Sequence, residues 1–318
     1  MFEVPRPVVV GLGPVDRAVV QPILGDVRFI ENPAPADLAV AVGAIVRADA
    51  VVDAGLLARA PRLKVLARTG VGVDLVDVEA ATARGLPVVI TPGSGTRAVA
   101  EGVFALALHL VKRLGPLTSL VSEGRWAQRD GNSVGDLDGA TIGIVGYGRI
   151  GRRVADLAEA FGMRVLAHDP VAAPPADRDC PDLSDLVAEA DVLTLHLPLT
   201  DRTHHLLDRR LLAAARPGAV LINCGRGGLV DLDAVLDALT SGRLSGVGLD
   251  VFEPEPPPHH PLFDHPDVVL TPHLMGMSRR ATRATFTDAA RGVADVLAGR
   301  TPHAVANPGW ADHHQEDR

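Results

Sequence analysis

The sequence predicts an α/β protein made of two doubly wound parallel-sheet domains, one inserted into the other. Short apolar runs alternate with helix-like segments along its 318 residues, the pattern of parallel strands covered by helices. The chain is longer than a usual single domain and can bury two cores. A glycine-rich stretch, Thr141-Ile-Gly-Ile-Val-Gly-Tyr-Gly-Arg-Ile-Gly151, is of the kind that follows the first strand of a domain, yet a complete α/β unit precedes it. The expected division is residues 97–278 as the inserted domain and residues 1–96 with 279–318 as a discontinuous outer domain.

The strand candidates of the outer domain are Pro7 to Gly11, Ala39 to Val46, Leu63 to Ala67 and Val88 to Thr91. Gly11-Leu-Gly13 looks like half a nucleotide loop, but Pro14 follows and no third glycine completes it, so it reads as a turn. The apolar run from Val99 to Val111 is interrupted by Glu101 and Gly102 and bounded by Lys112-Arg113; it reads as a buried helix rather than a membrane span.

In the inserted domain an apolar strand passes without a linker into G-x-G-x-x-G and then into a helix. Gly146 makes the tight turn, Gly148 lets the backbone approach a pyrophosphate, and Gly151 lets the helix pack closely on the strand. The helix N-terminus then faces the phosphates. A second strand, Arg164 to His168, ends in Asp169, at the spacing of an acid that binds the adenosine ribose hydroxyls. Its carboxylate repels the 2′-phosphate of NADP, and Pro170-Val-Ala-Ala173 offers no arginine, so NAD is the preferred dinucleotide. Strands are expected again at Val192 to Leu197, Ala219 to Asn223, Gly246 to Asp250 and Val268 to Thr271, and Ala311 to Arg318 reads as a frayed polar end.

A formal charge of −8 argues against nucleic acid or an anionic membrane as a bulk partner, and no basic run supplies a local exception. An anionic ligand must meet individually placed arginines. Cys180 and Cys224 are too few and too far apart for a disulfide framework or a metal knuckle, which fits a reducing cytoplasm. The opening Met-Phe-Glu-Val-Pro-Arg-Pro has no positive region followed by an apolar core, so no leader is expected. His204-His205 and His259-His260 lack the i, i+4 spacing of a helical metal pair and have no carboxylate motif, so no metal is expected.

Ligands of an open parallel sheet gather beyond the carboxyl ends of its strands, which collects His196, Arg226, Asp250 and His273 at one edge. A nicotinamide cofactor requires of the protein a proton donor or acceptor, a group that orients the substrate, and a dry cavity. His273, placed after a strand and Pro272, is the acid/base candidate. Glu255, in the proline-rich segment Glu253 to His259, is a carboxylate able to hold that imidazole in one tautomer. Arg226, in Asn223-Cys-Gly-Arg-Gly-Gly228, carries a guanidinium fork suited to an α-carboxylate and its adjacent carbonyl oxygen. Singly, these residues read as well as an ion pair, a solvated acid and a capped loop histidine; together at one sheet edge they read as a site.

Arg68-Thr-Gly-Val-Gly-Val-Asp74, Val99-Ala-Glu101, Gly146 to Gly151 with Asp169, His196-Leu-Pro198, Asn223 to Asp231, Asp250-Val-Phe-Glu-Pro-Glu-Pro256 and Thr271-Pro-His273 carry a resemblance. From about Val46 to Pro308 the chain resembles the D-isomer-specific 2-hydroxyacid dehydrogenases. The resemblance implies a Rossmann NAD-binding domain inserted in a flavodoxin-like substrate domain, and an NAD-dependent enzyme that interconverts a D-2-hydroxy acid and its 2-keto acid. It implies Arg226 as substrate-binding and catalytic, Glu255 as the partner of the histidine and His273 as the acid/base. Cofactor contacts are implied for Gly146, Tyr147, Gly148, Arg149, Ile150, Gly151, Asp169, His196, Pro198, Cys224, Gly225 and Gly276, with Asp250 at the nicotinamide carboxamide. The backbone around Val71 and Gly72 is implied to hold the substrate carboxylate. A homodimer joined through the cofactor domain is also implied, with the helix near Arg97 to Lys112 and the segment to Gly135 at the interface.

Arg47 and Arg68 stand at positions like those that bind phosphate in phosphoglycerate dehydrogenases, which points to a substrate with a phosphate or phosphonate tail. Two departures from the family pattern lie near the expected pocket. Gly95 replaces a usual Asn in Ser94-Gly-Thr-Arg97, and Leu274-Met-Gly-Met-Ser278 replaces an Ile-Gly-Gly-type loop, so Met275 and Met277 are expected to add apolar bulk beside the nicotinamide. Two other functions use the same residues on the same fold: an NADH-sensing scaffold like certain transcriptional corepressors, and a dehydrogenase of a small anion such as phosphite.

Overall fold

The computed structural model describes residues 6–314. The leader expectation at Met1 to Pro5, and the part of the frayed end from Gln315 onward, lie outside the described residues. The chain divides into two compact units, Met1–Gly95 with Met277–Arg318, and Thr96–Gly276. Both junctions fall slightly earlier in the chain than the sequence suggests.

The outer unit holds a parallel sheet with strands β1 Val8–Leu12, β2 Arg28–Glu31, β3 Ala41–Val46, β4 Val65–Arg68 and β5 Val88–Val89, in the order β2-β1-β3-β4-β5. This is the flavodoxin-like order. Successive residues serve opposite faces: Val8 and Val10 pack with Ala44 and Leu66, whereas Val9 packs with Ile45 and Val65. The second face is covered by the helix Arg279–Leu297 through Phe286, Ala289, Ala290 and Val293. That helix starts where the Ser278 hydroxyl accepts the Ala281 N–H at 3.2 Å, an N-cap.

Strand β2 has no apolar run in the sequence because it is a sheet edge whose one fully buried side chain is Phe29. The run from Ala39 also begins differently from expectation: Pro35–Val40 is helical and the strand starts at Ala41. Pro35 in the first turn and Asp37, whose carboxylate accepts the Ala34 N–H at 3.0 Å, favour that helix start. At the other end Pro308–His314 forms a 3-10 helix where a frayed end is expected.

The inserted unit holds strands β6 Thr141–Val145, β7 Arg164–His168, β8 Val192–Leu195, β9 Ala219–Asn223, β10 Leu244–Leu249 and β11 Val268–Leu270, all parallel, in the order β11-β10-β9-β8-β6-β7. β6, β8 and β9 are buried throughout, as strands covered on both faces are, so they read as unbroken apolar runs. Leu186, Leu193, Leu221 and Val247 build the core of one face; Ile142, Ile144, Ile222, Val103 and Phe104 build the other. Each large aliphatic buried this way contributes roughly 1.5–3 kcal/mol.

The second core explains Gly102 in the middle of the helix Thr96–Val111. A Cβ at Gly102 would lie 2.7 Å from the Met275 Cβ and 2.8 Å from its Sδ. Met275 packs into that gap against the core. This corrects the expectation that it adds bulk beside the nicotinamide: its side chain belongs to the helix–sheet interface. Among the described residues no single helix is long and apolar enough to cross a membrane; Thr96–Val111 and Leu114–Ser122 meet that composition only as a pair bent by 56°.

The strand ladders place Leu270, Leu249, Asn223, Leu195, Val145 and His168 side by side in one row across the inserted sheet. The order of strands reverses between β6 and β8, the switch point at which such sheets bind ligands.

Candidate active site

Gly146, Asp169, His196, Cys224 and Asp250 each stand one residue beyond that row, and Arg226 and His273 stand three beyond it. Residues scattered over more than a hundred positions therefore emerge along one edge.

Nδ1 of His273 and Oε2 of Glu255 are 2.8 Å apart, and Oε1 of Glu255 accepts the Phe252 N–H at 3.0 Å. A carboxylate on Nδ1–H leaves Nε2 as the nitrogen that exchanges protons. The His273 side chain keeps 46% of its surface, so a reactant can reach it. Its backbone is left-handed, with φ 56°, a conformation that costs a non-glycine residue about 1–2 kcal/mol and that collects at functional sites.

The restraint comes from Asp250, which is 2% exposed. Its Oδ1 accepts from Thr271 Oγ1 at 2.7 Å and from the Leu274 N–H at 2.9 Å, and its Oδ2 accepts from the Met275 N–H at 3.1 Å. Asp250 thus grips the turn on both sides of His273. Sequence reasoning assigns it only a cofactor contact; a buried acid ending an apolar strand was the signal for this second role.

Asn223 does the same for Arg226. It is fully buried, its Nδ2 donates to the Arg226 carbonyl at 2.8 Å, and its Oδ1 accepts the Gly225 N–H at 3.0 Å. Nη1 of Arg226 donates to the Gly225 carbonyl at 2.8 Å. Gly227 is pressed against the peptide between Phe252 and Glu253, and a Cβ on Gly228 would lie 2.6 Å from Glu253 Oε2. Two glycines therefore let the Arg226 turn lie directly on the loop that carries Glu255. Burial, with the Asp250 carboxylate adding to it, pushes the Cys224 thiol up, so it stays protonated and unreactive at neutral pH.

The other half of the edge fits a dinucleotide. Gly146 has φ 97°, and a Cβ there would lie 2.6 Å from the carbonyl carbon and oxygen of His196. Gly151 abuts the Gly146 carbonyl, so helix and strand touch. Gly148 caps the helix Arg149–Ala160, and a Cβ on it would meet nothing within 4 Å, which leaves room for a pyrophosphate before the helix N-terminus.

His196 gives the sharpest test of fit. Its Nε2 pairs with Thr194 Oγ1 at 3.0 Å, but its buried Nδ1 has no hydrogen-bond partner among the described residues. Burial pushes its pKa from 6.5 down to about 3, so the ring is neutral. An orphaned polar atom beside the glycine loop is the kind of group that a bound dinucleotide satisfies.

Asp169 accepts the N–H groups of Tyr147 at 2.7 Å and of Val171 and Ala172 at 2.8 Å. Partial burial raises its pKa, but the Ala172, Val171 and Tyr147 amides outweigh burial and hold it below the usual range, ionised. The Tyr147 side chain is buried in the core, where its hydroxyl accepts from Arg178 Nη1 at 2.7 Å, and its carbonyl accepts from Arg152 Nε at 3.1 Å. Arg149 and Pro198 are exposed and Ile150 is half-buried. Gly276 has Val99 Cγ2 at 3.3 Å from where a Cβ would stand.

In the outer unit Arg68 departs from its expected role. It is 5% exposed; Nε donates to the Gly72 carbonyl at 2.9 Å, Nη2 to the Ala48 carbonyl at 3.0 Å, and Nη1 to the Arg47 carbonyl. Arg68 ends β4 beside Val46 of β3, so its side chain folds across the neighbouring strand end. Its guanidinium fastens the loops at 47–48 and 72 instead of standing ready for a phosphate. Arg47 lies over the Phe286 ring, 5.5 Å from its centroid, and its buried Nε lacks a partner among the described residues. Val71 and Met277 are exposed, and Ser94 Oγ donates to Asp288 Oδ2 at 3.0 Å beside Gly95.

The histidine pairs also differ from expectation, because folding brings them carboxylates that spacing does not reveal. His204 meets Glu253, His259 meets Asp264 and His260 meets Asp233.

Residues 104–275 match the family model of the D-isomer specific 2-hydroxyacid dehydrogenase NAD-binding domain. The chain is 42% identical over 294 residues to a D-3-phosphoglycerate dehydrogenase of Mycobacterium tuberculosis, covering 89% of this chain and 56% of that one. It is 37% identical over 269 residues to a glyoxylate reductase of Thermococcus litoralis, covering 80% of each. The chain spans about half the length of the phosphoglycerate dehydrogenases it matches. Among solved structures, the D-lactate dehydrogenase of Aquifex aeolicus complexed with NAD and lactic acid superposes with a TM-score of 0.81 at 29% identity, over 92% of this chain and 96% of that one.

Proposed function

Because this chain belongs to the D-isomer specific 2-hydroxyacid dehydrogenase family, we propose that it is an NAD-dependent dehydrogenase interconverting a D-2-hydroxy acid and its 2-keto acid. The observation that carries the proposal is the His273–Glu255 pair on a left-handed turn, gripped by Asp250 at the strand ends that also position Arg226. NAD, when bound, supplies the hydride acceptor. Nε2 of His273 takes the hydroxyl proton during oxidation and returns it during reduction. Glu255 keeps Nδ1 protonated and offsets the imidazolium charge. The guanidinium of Arg226 orients the substrate carboxylate and polarises the carbonyl oxygen, where negative charge develops in the transition state. We assign the remaining contact with that carboxylate to the backbone of Val71 and Gly72.

Gly146 to Gly151 would hold the cofactor, Asp169 would take its ribose, and His196, Pro198, Cys224, Gly225, Asp250 and Gly276 would contribute contacts. An ionised Asp169 with no adjacent arginine supports NAD over NADP. A phosphate or phosphonate tail on the substrate remains our reading, and it rests on Arg47, whose Nε has no hydrogen-bond partner among the described residues. A homodimer is supported by the exposed apolar side chains of Leu114, Val121, Trp126 and Val134 within one segment. The two buried free cysteines support a reducing, cytoplasmic setting.

The test is NADH oxidation, followed at the nicotinamide absorbance, against 2-keto acids with and without phosphate or phosphonate tails. Turnover of a keto acid is expected, with dianionic members preferred. NADH binding with no turnover across the panel would overturn the dehydrogenase reading and favour the scaffold.

A further inference from the structure

We propose that His204, His205 and Glu253 form a binding site for one divalent transition-metal ion of the zinc class. One ligand atom from each residue lies within 4.8 Å of the other two, and Nε2 of His204 is 2.8 Å from Oε2 of Glu253. Neighbouring residues in extended chain point to opposite sides. His205 is instead left-handed, with φ 50°, and its ring stacks on that of His204 with centroids 4.0 Å apart and planes 19° apart. The turn thus delivers two imidazoles to one carboxylate.

Gly228 organises the group. The His205 N–H donates to the Gly228 carbonyl at 2.7 Å, and the Glu253 carboxylate lies where a Gly228 side chain would be, 2.6 Å from the position of its Cβ. Two of the three donors are therefore referenced to one backbone position, which reduces the ordering cost of capture. Two imidazole nitrogens and one carboxylate oxygen suit zinc, cobalt, nickel or copper; magnesium and calcium prefer all-oxygen shells. Metal–nitrogen bonds of about 2.0–2.1 Å require the side chains to close in by rotamer adjustment, which their exposure permits, and water completes the shell. By contrast, His259 with Asp264 and His260 with Asp233 offer one imidazole and one carboxylate each, at 3.1 and 3.2 Å. An ion at His204, His205 and Glu253 ties this turn to the loop that carries Glu255, although neither Glu255 nor His273 is a ligand.

The test is calorimetric titration of the untagged full chain with zinc chloride and, separately, magnesium chloride, so it does not depend on the dehydrogenase reading. One equivalent of zinc is expected to bind and magnesium is not. His205→Ala and Glu253→Gln should each weaken zinc binding at least about tenfold, whereas His260→Ala should leave it unchanged. Cobalt should give a visible d–d absorption that His205→Ala abolishes. All three side chains are exposed, so thermal melting without metal should match the wild type in the His204, His205 and Glu253 variants. Absence of zinc binding by the wild type, or binding that persists unchanged when His204 and His205 are both Ala, would overturn the proposal. Loss only with His273→Gln would do so too, by assigning the ion to the catalytic pair.

Discussion

Asp250 holds His273 in place without touching it, accepting hydrogen bonds from Thr271 Oγ1 at 2.7 Å and from the Leu274 N–H at 2.9 Å on either side of the histidine. The strained turn and the buried acid are one device. Asp250→Ala leaves those two donors and the Met275 N–H without their acceptor. We expect a loss of about 2–4 kcal/mol, since each unsatisfied buried group costs about 1–3 kcal/mol before relaxation, together with a fall in kcat. Denaturant unfolding measures the first, and an unchanged midpoint would remove Asp250 from the support of the turn.

His273→Gln should lower turnover by about 10²–10⁴, the range for losing a general acid/base, while NADH binding, read by fluorescence, stays within about twofold. Near-normal turnover would leave His273 without the proposed chemistry.

The His196 imidazole, with its buried Nδ1, makes stability depend on pH. Its folded-state pKa is lowered from 6.5 to about 3, so between these values the unfolded chain takes up a proton that the folded chain refuses. Falling pH in that window therefore favours unfolding, and stability rises again with pH. His196→Gln should flatten the melting temperature against pH between 6.5 and about 3; a profile parallel to the wild type would show that the imidazole is not the group responsible.

Arg68→Lys retains the charge but loses the fork that reaches the carbonyls of Gly72, Ala48 and Arg47. The expected result is a destabilised protein, by about 1–3 kcal/mol, whose KM rises equally for phosphorylated and unphosphorylated keto acids. A selective loss for the phosphorylated ones would restore Arg68 as a phosphate ligand.

Trp126 keeps 58% of its surface beside Val121 at 61%. Trp126→Asp is expected to convert a dimer to monomers in light scattering at micromolar concentration. A variant that remains dimeric would place the interface elsewhere.

Elements with strong local signals were legible before the structure. β6, β8 and β9 are buried on both faces and so are apolar without interruption, and Gly146 to Gly151 carries its turn chemistry in its own spacing. β2 was illegible because an edge strand buries only Phe29 fully. Met275 was misplaced because sequence shows that a methionine is apolar but not that Gly102 has vacated the space it fills. Arg68 was misread for a related reason: a guanidinium at a strand end looks alike whether it meets a ligand or three carbonyls of its own chain. The support given by Asn223 and Asp250, and the meeting of His204 with Glu253, depend on contacts between loops whose approach no periodicity encodes.

The aligned row from Leu270 to His168 makes pairing accuracy a condition of activity. A slip of one residue in β9 would move Asn223 about 3.3 Å along the sheet and invert its face, carrying Arg226 away from the loop of Glu255 while leaving most of the apolar surface still buried. A chain caught in that state would look folded to a hydrophobic dye and be dead in an assay, so specific activity per folded molecule measures how faithfully these strands find their partners.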